Sequence, residues 1–164
     1  MNWCSVIYCS RGLSKQRSIT LRRFPNIRSK ALQKIVSVID DDVDISRLFY
    51  EVLRENVNGV EVISFNDPIL ALKYFTENRS AYALVISDLR MPGLNGLELL
   101  KKIKDSNSSV RTILMSTYNF DEDKLLQEYM EKGIIDSTIE KPVTIQRLSQ
   151  RVRDELEVYQ SMNL

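Results

Sequence analysis

A chain of 164 residues, 43% hydrophobic and 27% charged, is long enough to bury one hydrophobic core and too ordinary in composition to be fibrous, collagen-like or wholly disordered. Its longest uninterrupted apolar run, Ala81 to Ile86, falls far short of the roughly 20 residues that cross a bilayer, so no transmembrane helix is expected. The net charge of +1 conceals a division: residues 1–34 carry eight Lys or Arg and no acid, whereas the remainder carries fifteen basic and twenty-two acidic side chains.

Residues 1–33 show no sustained helical or strand period, are rich in Arg and Ser, and are interrupted by Gly12 and Pro25. They read as a basic, mostly unstructured extension before a domain at 34–164. The composition is compatible with an organelle transit peptide, with an arm that touches nucleic acid or anionic lipid, and with an upstream start codon included in error. Cys4 and Cys9 both lie here and have no partners elsewhere, which excludes a disulfide framework across the domain and fits a reducing, cytoplasmic setting. The absence of histidine excludes Ser-His-Asp and Cys-His chemistry and any phosphohistidine on this chain.

From Ile35 onward, short β-rich apolar runs alternate with amphipathic stretches, the pattern of βαβ units around a parallel sheet, and five units can be counted. The strands are expected at Ile35 to Ile39, Val60 to Phe65, Ala83 to Ser87, Arg111 to Met115 and around Ser137 to Ile139. The first, third and fourth are nearly continuous apolar runs, as in strands covered on both faces. The first helix is expected to start at an Asp44 cap and to bury Ile45, Leu48, Phe49, Val52 and Leu53. Asp67-Pro68 supplies a cap and a first-turn proline ahead of Ile69, Leu72 and Phe75. Leu97, Leu100 and Ile103 mark the third helix, and Leu125, Leu126, Tyr129 and Met130 the fourth. Ile145, Leu148, Val152, Leu156 and Tyr159 mark the fifth, which is expected to close the chain with no DNA-binding or other output domain after it.

In an open parallel sheet the functional groups gather beyond the carboxyl ends of the strands. There the sequence puts Asp40, Asp41 and Asp42 after the first strand, Asp88 after the third, Ser116 and Thr117 after the fourth, and Lys141-Pro142 after the fifth. Consecutive carboxylates at the end of a buried strand repel one another, so they call for a cation, and an all-oxygen cluster suits Mg²⁺. Capping accounts for only one of them. Asp88 precedes Met91-Pro92-Gly93-Leu94-Asn95-Gly96, a loop whose glycines let backbone approach a bound group. Lys141 brings positive charge to balance a phosphate or an aspartate, and Ser116 brings a hydroxyl.

Val38-Ile39-Asp40-Asp41-Asp42, Ser87-Asp88-Leu89-Arg90-Met91-Pro92-Gly93, Ser116 and Lys141-Pro142 together resemble the response-regulator receiver domains of two-component signalling, in the single-domain form typified by chemotaxis regulators. The resemblance covers about Lys34 to Asn163. It implies a flavodoxin-like, doubly wound α/β fold with a five-stranded parallel sheet, order 2-1-3-4-5, and five helices. It further implies that Asp88 is the phosphoacceptor and that Asp41, Asp88 and the Arg90 backbone carbonyl bind Mg²⁺ directly, with Asp40 acting through water and Asp42 outside the direct ligands. Ser116 and Lys141 would bind phosphoryl oxygens, with Lys141-Pro142 cis. The implied partners are a sensor histidine kinase or phosphotransfer protein and a downstream protein, and the resemblance allows a weak dimer through the fourth helix, fifth strand and fifth helix. The implied protein is a switch that catalyses its own phosphorylation and dephosphorylation, without other enzyme activity.

Three positions depart from the family pattern. Thr138 stands where a Tyr or Phe switch is usual, Thr117 replaces a small residue beside Ser116, and the stretch from Gly133 to Pro142 is about one residue longer. The closest alternative is a phosphorelay intermediate or phosphate sink. A phosphorylation-independent adaptor would be expected to lack an acid or the lysine. A haloacid-dehalogenase-type phosphatase would need a second Asp two residues after Asp88, where Arg90 stands.

Overall fold

The computed structural model describes residues 33–117 and 123–163. The expected unstructured extension at 1–33 therefore lies, apart from Gln33, outside the described residues, as do Cys4 and Cys9. The described chain alternates β1 (Lys34–Ile39), α1 (Val43–Asn56), β2 (Val60–Phe65), α2 (Pro68–Asn78), β3 (Tyr82–Asp88), α3 (Gly96–Ser106), β4 (Arg111–Ser116), α4 (Lys124–Glu131), β5 (Ser137–Glu140) and α5 (Ile145–Met162). The strands form one parallel sheet in the order β2-β1-β3-β4-β5. No helix among the described residues is long and apolar enough to cross a membrane.

Side chains alternate across a strand, so a sheet with two apolar faces needs a covering layer on each. Val36, Val38, Leu84, Ile86, Ile113, Met115 and Ile139 point to one face and pack with Phe49 and Leu53 of α1 and Leu148 and Val152 of α5. Ile35, Ile39, Val85 and Leu114 point to the other and pack with Phe75 of α2, Leu99, Leu100 and Ile103 of α3, and Leu126 of α4. β1 and β3 lie side by side at the centre, and the chain winds away from them in opposite directions, which opens a crevice at their carboxyl ends.

Two expectations are corrected. Asp42, not Asp44, caps α1: its carboxylate accepts from the Asp44 and Ile45 amides at 2.9 and 3.2 Å, and Asp44 sits inside the first turn. The chain turns into the helix directly after Asp41, so the cap falls two residues earlier than the apolar period suggests. The apolar faces are also narrower than expected, because Leu48, Ile69, Leu125, Met130 and Ile145 are all exposed. α1 instead turns Tyr50 and Ser46 inward, and α4 buries only Leu126.

At the amino ends of β4 and β5, away from the crevice, a buried charge network ties both strands to their flanking helices. Arg111 reaches Asp136 at 2.7 Å and Glu155 of α5 at 2.6 Å, while Lys104 of α3 meets the other Asp136 oxygen at 2.7 Å. Asp136 also accepts from the Thr112 amide at 2.7 Å.

Candidate functional site

Asp40 directly follows β1 and is buried, and Asp88 is the last residue of β3 and also buried. Adjacent parallel strands in register bring these carboxyl ends to one rim, since Ile39 pairs with Ser87. β5 delivers Lys141 to the same place: its ammonium lies 2.8 Å from Asp40 Oδ2 and also pairs with Asp88 Oδ1. The Lys141-Pro142 bond is cis, and the Lys141 amide donates to the Ser116 carbonyl at 2.8 Å, which joins the ends of β4 and β5.

The remaining oxygens are held locally. Asp88 Oδ2 accepts from the Arg90 amide at 2.7 Å, and Asp40 Oδ1 accepts from the Asp42 amide at 3.0 Å. Burial pushes the Asp40 carboxyl above its ordinary range, and the Lys141 ammonium and the Asp42 amide pull against this without cancelling it. Burial disfavours the charged form of Lys141, but the hydrogen bonds and charges of Asp40 and Asp88 outweigh it and leave the ammonium above the ordinary lysine value. Lys141 thus supplies the positive charge at this rim that was expected of it, paired with both aspartates.

Of the other expected site residues, Ser116 is buried at the end of β4 and Thr117 follows it exposed. Asp41 and Arg90 are exposed on the rim loops. Thr138, half-buried, lies inside β5 opposite Leu114, three residues short of Lys141. Sequence reasoning missed Asn66, which follows β2 and donates to the Asp40 carbonyl at 3.0 Å. A lone Asn before an Asp-Pro cap gives no signal of a contact 26 positions away.

The loop after Asp88 is shaped by two glycines. Gly93 has φ +83°, in the left-handed region that favours glycine, and Gly96 donates its amide to the Leu89 carbonyl at 3.0 Å. Among the described residues no three His, Cys, Asp or Glu side chains converge as a metal-holding group. Mg²⁺ does not require one, because it is usually bound through one or two carboxylates and keeps water in its other positions. The three carboxylates Asp40, Asp41 and Asp88 outnumber the Lys141 ammonium, so an all-oxygen donor set with surplus negative charge fits a hard divalent cation.

The family model of the response regulator receiver domain matches residues 36–153. The chain belongs to the response regulator receiver domain family. It is 30% identical to Sporulation initiation phosphotransferase F of Bacillus subtilis over 72% of this chain and 90% of that protein. It is 31% identical to the Transcriptional regulatory protein CpxR homolog of Haemophilus influenzae over 71% of this chain, and the match spans only 47% of that relative. Among solved structures, a response regulator receiver domain protein from Clostridium thermocellum superposes with TM-score 0.69 at 27% identity, covering 79% of this chain and 98% of that one.

Proposed function

We propose that this receiver domain accepts a phosphoryl group on Asp88 from a phosphohistidine of a sensor kinase or phosphotransfer protein, and signals the change to a downstream protein. The observation that carries this reading is the Lys141 ammonium held between two buried carboxylates at adjoining strand ends. A carboxylate oxygen of Asp88 attacks phosphorus in line, the bond from phosphorus to the donor's imidazole nitrogen breaks, and the electron pair leaves with that nitrogen. Lys141 stabilises the charge on the phosphoryl oxygens and Ser116 donates its hydroxyl to one of them. Asp41, Asp88 and the Arg90 carbonyl would hold Mg²⁺, with Asp40 reaching it through water. When bound, the metal neutralises charge on the transferring group. Asp42, whose carboxylate is committed to capping α1, takes no part.

A second reading, a phosphorelay intermediate, is favoured by one observation: the relative matched over 90% of its length carries the name phosphotransferase. Passing the group onward would use the same residues in reverse.

Incubation with acetyl phosphate and Mg²⁺, followed by intact-mass spectrometry, tests the assignment. One phosphoryl group is expected on the unaltered protein and none on Asp88→Asn or in the presence of EDTA. Undiminished labelling of Asp88→Asn would overturn it.

A further inference from the structure

The acid-bearing loop between β1 and α1 is braced by a residue outside the acid cluster. Asn66 Nδ2 donates to the Asp40 carbonyl at 3.0 Å and also to Ser46 Oγ, while the Ser46 hydroxyl donates to the Val43 carbonyl at 3.1 Å. The backbone carbonyl can only accept, so the amide nitrogen of Asn66, not its oxygen, must face Asp40, and its two hydrogens serve the two partners. The Asp40 carbonyl belongs to the same planar unit as the Asp41 nitrogen. Fixing that oxygen fixes the plane and hence the point from which Asp41 leaves the loop.

Around this brace the other loop groups are already committed. The Asp40 amide donates to the Phe65 carbonyl at 3.2 Å, Asp40 is paired with Lys141, and the Asp42 carboxylate caps α1. Asp41 is exposed, and its carboxylate draws no partner from the described residues. A loop tethered on both sides of a single uncommitted carboxylate is preorganised to present that carboxylate to something beyond the chain.

We propose that Asn66 is a positioning residue, which holds the Asp40–Asp41 peptide so that Asp41 meets a divalent cation on the Asp88 rim. The inference rests on the proposed reading of the site as a Mg²⁺ centre. Outer partners that orient a ligand typically contribute 10- to 100-fold in metal affinity. Removing the Asn66 amide should therefore weaken Mg²⁺ binding about 10-fold while leaving the core intact.

The test is a titration of the full chain with MgCl₂ alone, followed by amide NMR shifts of residues 40–44, with the core signals of 82–86 as a check on folding. Asn66→Ala deletes the brace. Asn66→Leu keeps its size and neutrality but removes both donor hydrogens, and serves if the alanine variant folds poorly. Both should bind Mg²⁺ about 10-fold more weakly. In an Asp41→Asn background the same substitutions should cost less than about 3-fold, because the ligand through which Asn66 acts is gone. Unchanged affinity in folded Asn66 variants, or an equal loss with and without Asp41, would overturn the positioning role while leaving the Mg²⁺ reading intact. A wild-type protein that shows no saturable Mg²⁺ response would instead remove the reading on which the inference rests.

Discussion

Gly96 lies so close to the backbone of Asp88 that a β-carbon there would sit 2.1 Å from the Asp88 carbonyl oxygen and 3.0 Å from the Leu114 side chain. The first turn of α3 is thereby pressed against the strand that carries the candidate phosphoacceptor, and only a residue without a side chain permits it. Gly96→Ala must push α3 away from β3 or bend the end of β3. We expect a loss of at least about 2 kcal/mol in denaturant unfolding, by the usual cost of forcing atoms into a packed interior, together with reduced labelling of Asp88. A variant within about 0.5 kcal/mol of wild type would show that the contact relaxes freely.

The network around Arg111 sets a second expectation. Arg111→Ala removes the ion-pair partner of Glu155 while leaving that carboxylate buried in α5, a change that typically costs about 3–5 kcal/mol. Asp136 keeps Lys104 and suffers less. Replacing both Arg111 and Glu155 with methionine should recover more than half of the lost stability, because no unpaired charge then remains at α5. Thermal and urea unfolding of the two variants would decide it; equal losses in the single and double variants would count against the charge account.

The basic residues 1–33 contain no periodic apolar face to bury, so their deletion should change stability by no more than about 0.5 kcal/mol and leave Asp88 labelling unaltered. Salt-dependent contacts with polyanions would be the property lost. A drop of several kilocalories per mole would mean that this segment folds with the domain.

Thr138 is half-buried on β5 and too small to exchange a filled inner pocket for a large outer contact, as an aromatic there could. By contrast α4 buries only Leu126 and exposes Leu125 and Met130, so it is held lightly. Beryllofluoride, standing in for the phosphoryl group on Asp88, should therefore perturb amide signals from Ser116 to Lys132 more than those flanking Thr138. The opposite ranking would make β5 the switch despite its threonine.

Much of this architecture is legible in the residues themselves. The apolar run Ala83 to Ile86 reads as a strand covered on both faces, and Asp67-Pro68 ahead of an apolar period reads as a helix start, as β3 and the cap on α2 bear out. Both are local rules, acting over fewer than about ten residues. The rim was legible for a related reason: with parallel strands, every strand-end residue must arrive at the same edge, so Asp40, Asp88 and Lys141 could be gathered before any distance was known.

Tertiary structure alone decided the rest. Asp42 and Asp44 are equally good caps by chemistry, and the path of the chain out of β1 chose between them. Leu48 and Ile69 fit an apolar period but face water, and α1 instead seats Ser46 and Tyr50 against the core. Asn66 meets Asp40 across 26 positions, and Arg111 meets Glu155 across 44. Such contacts join polar groups that have no period, and they depend on how helices seat against the sheet, a choice made by the whole core at once.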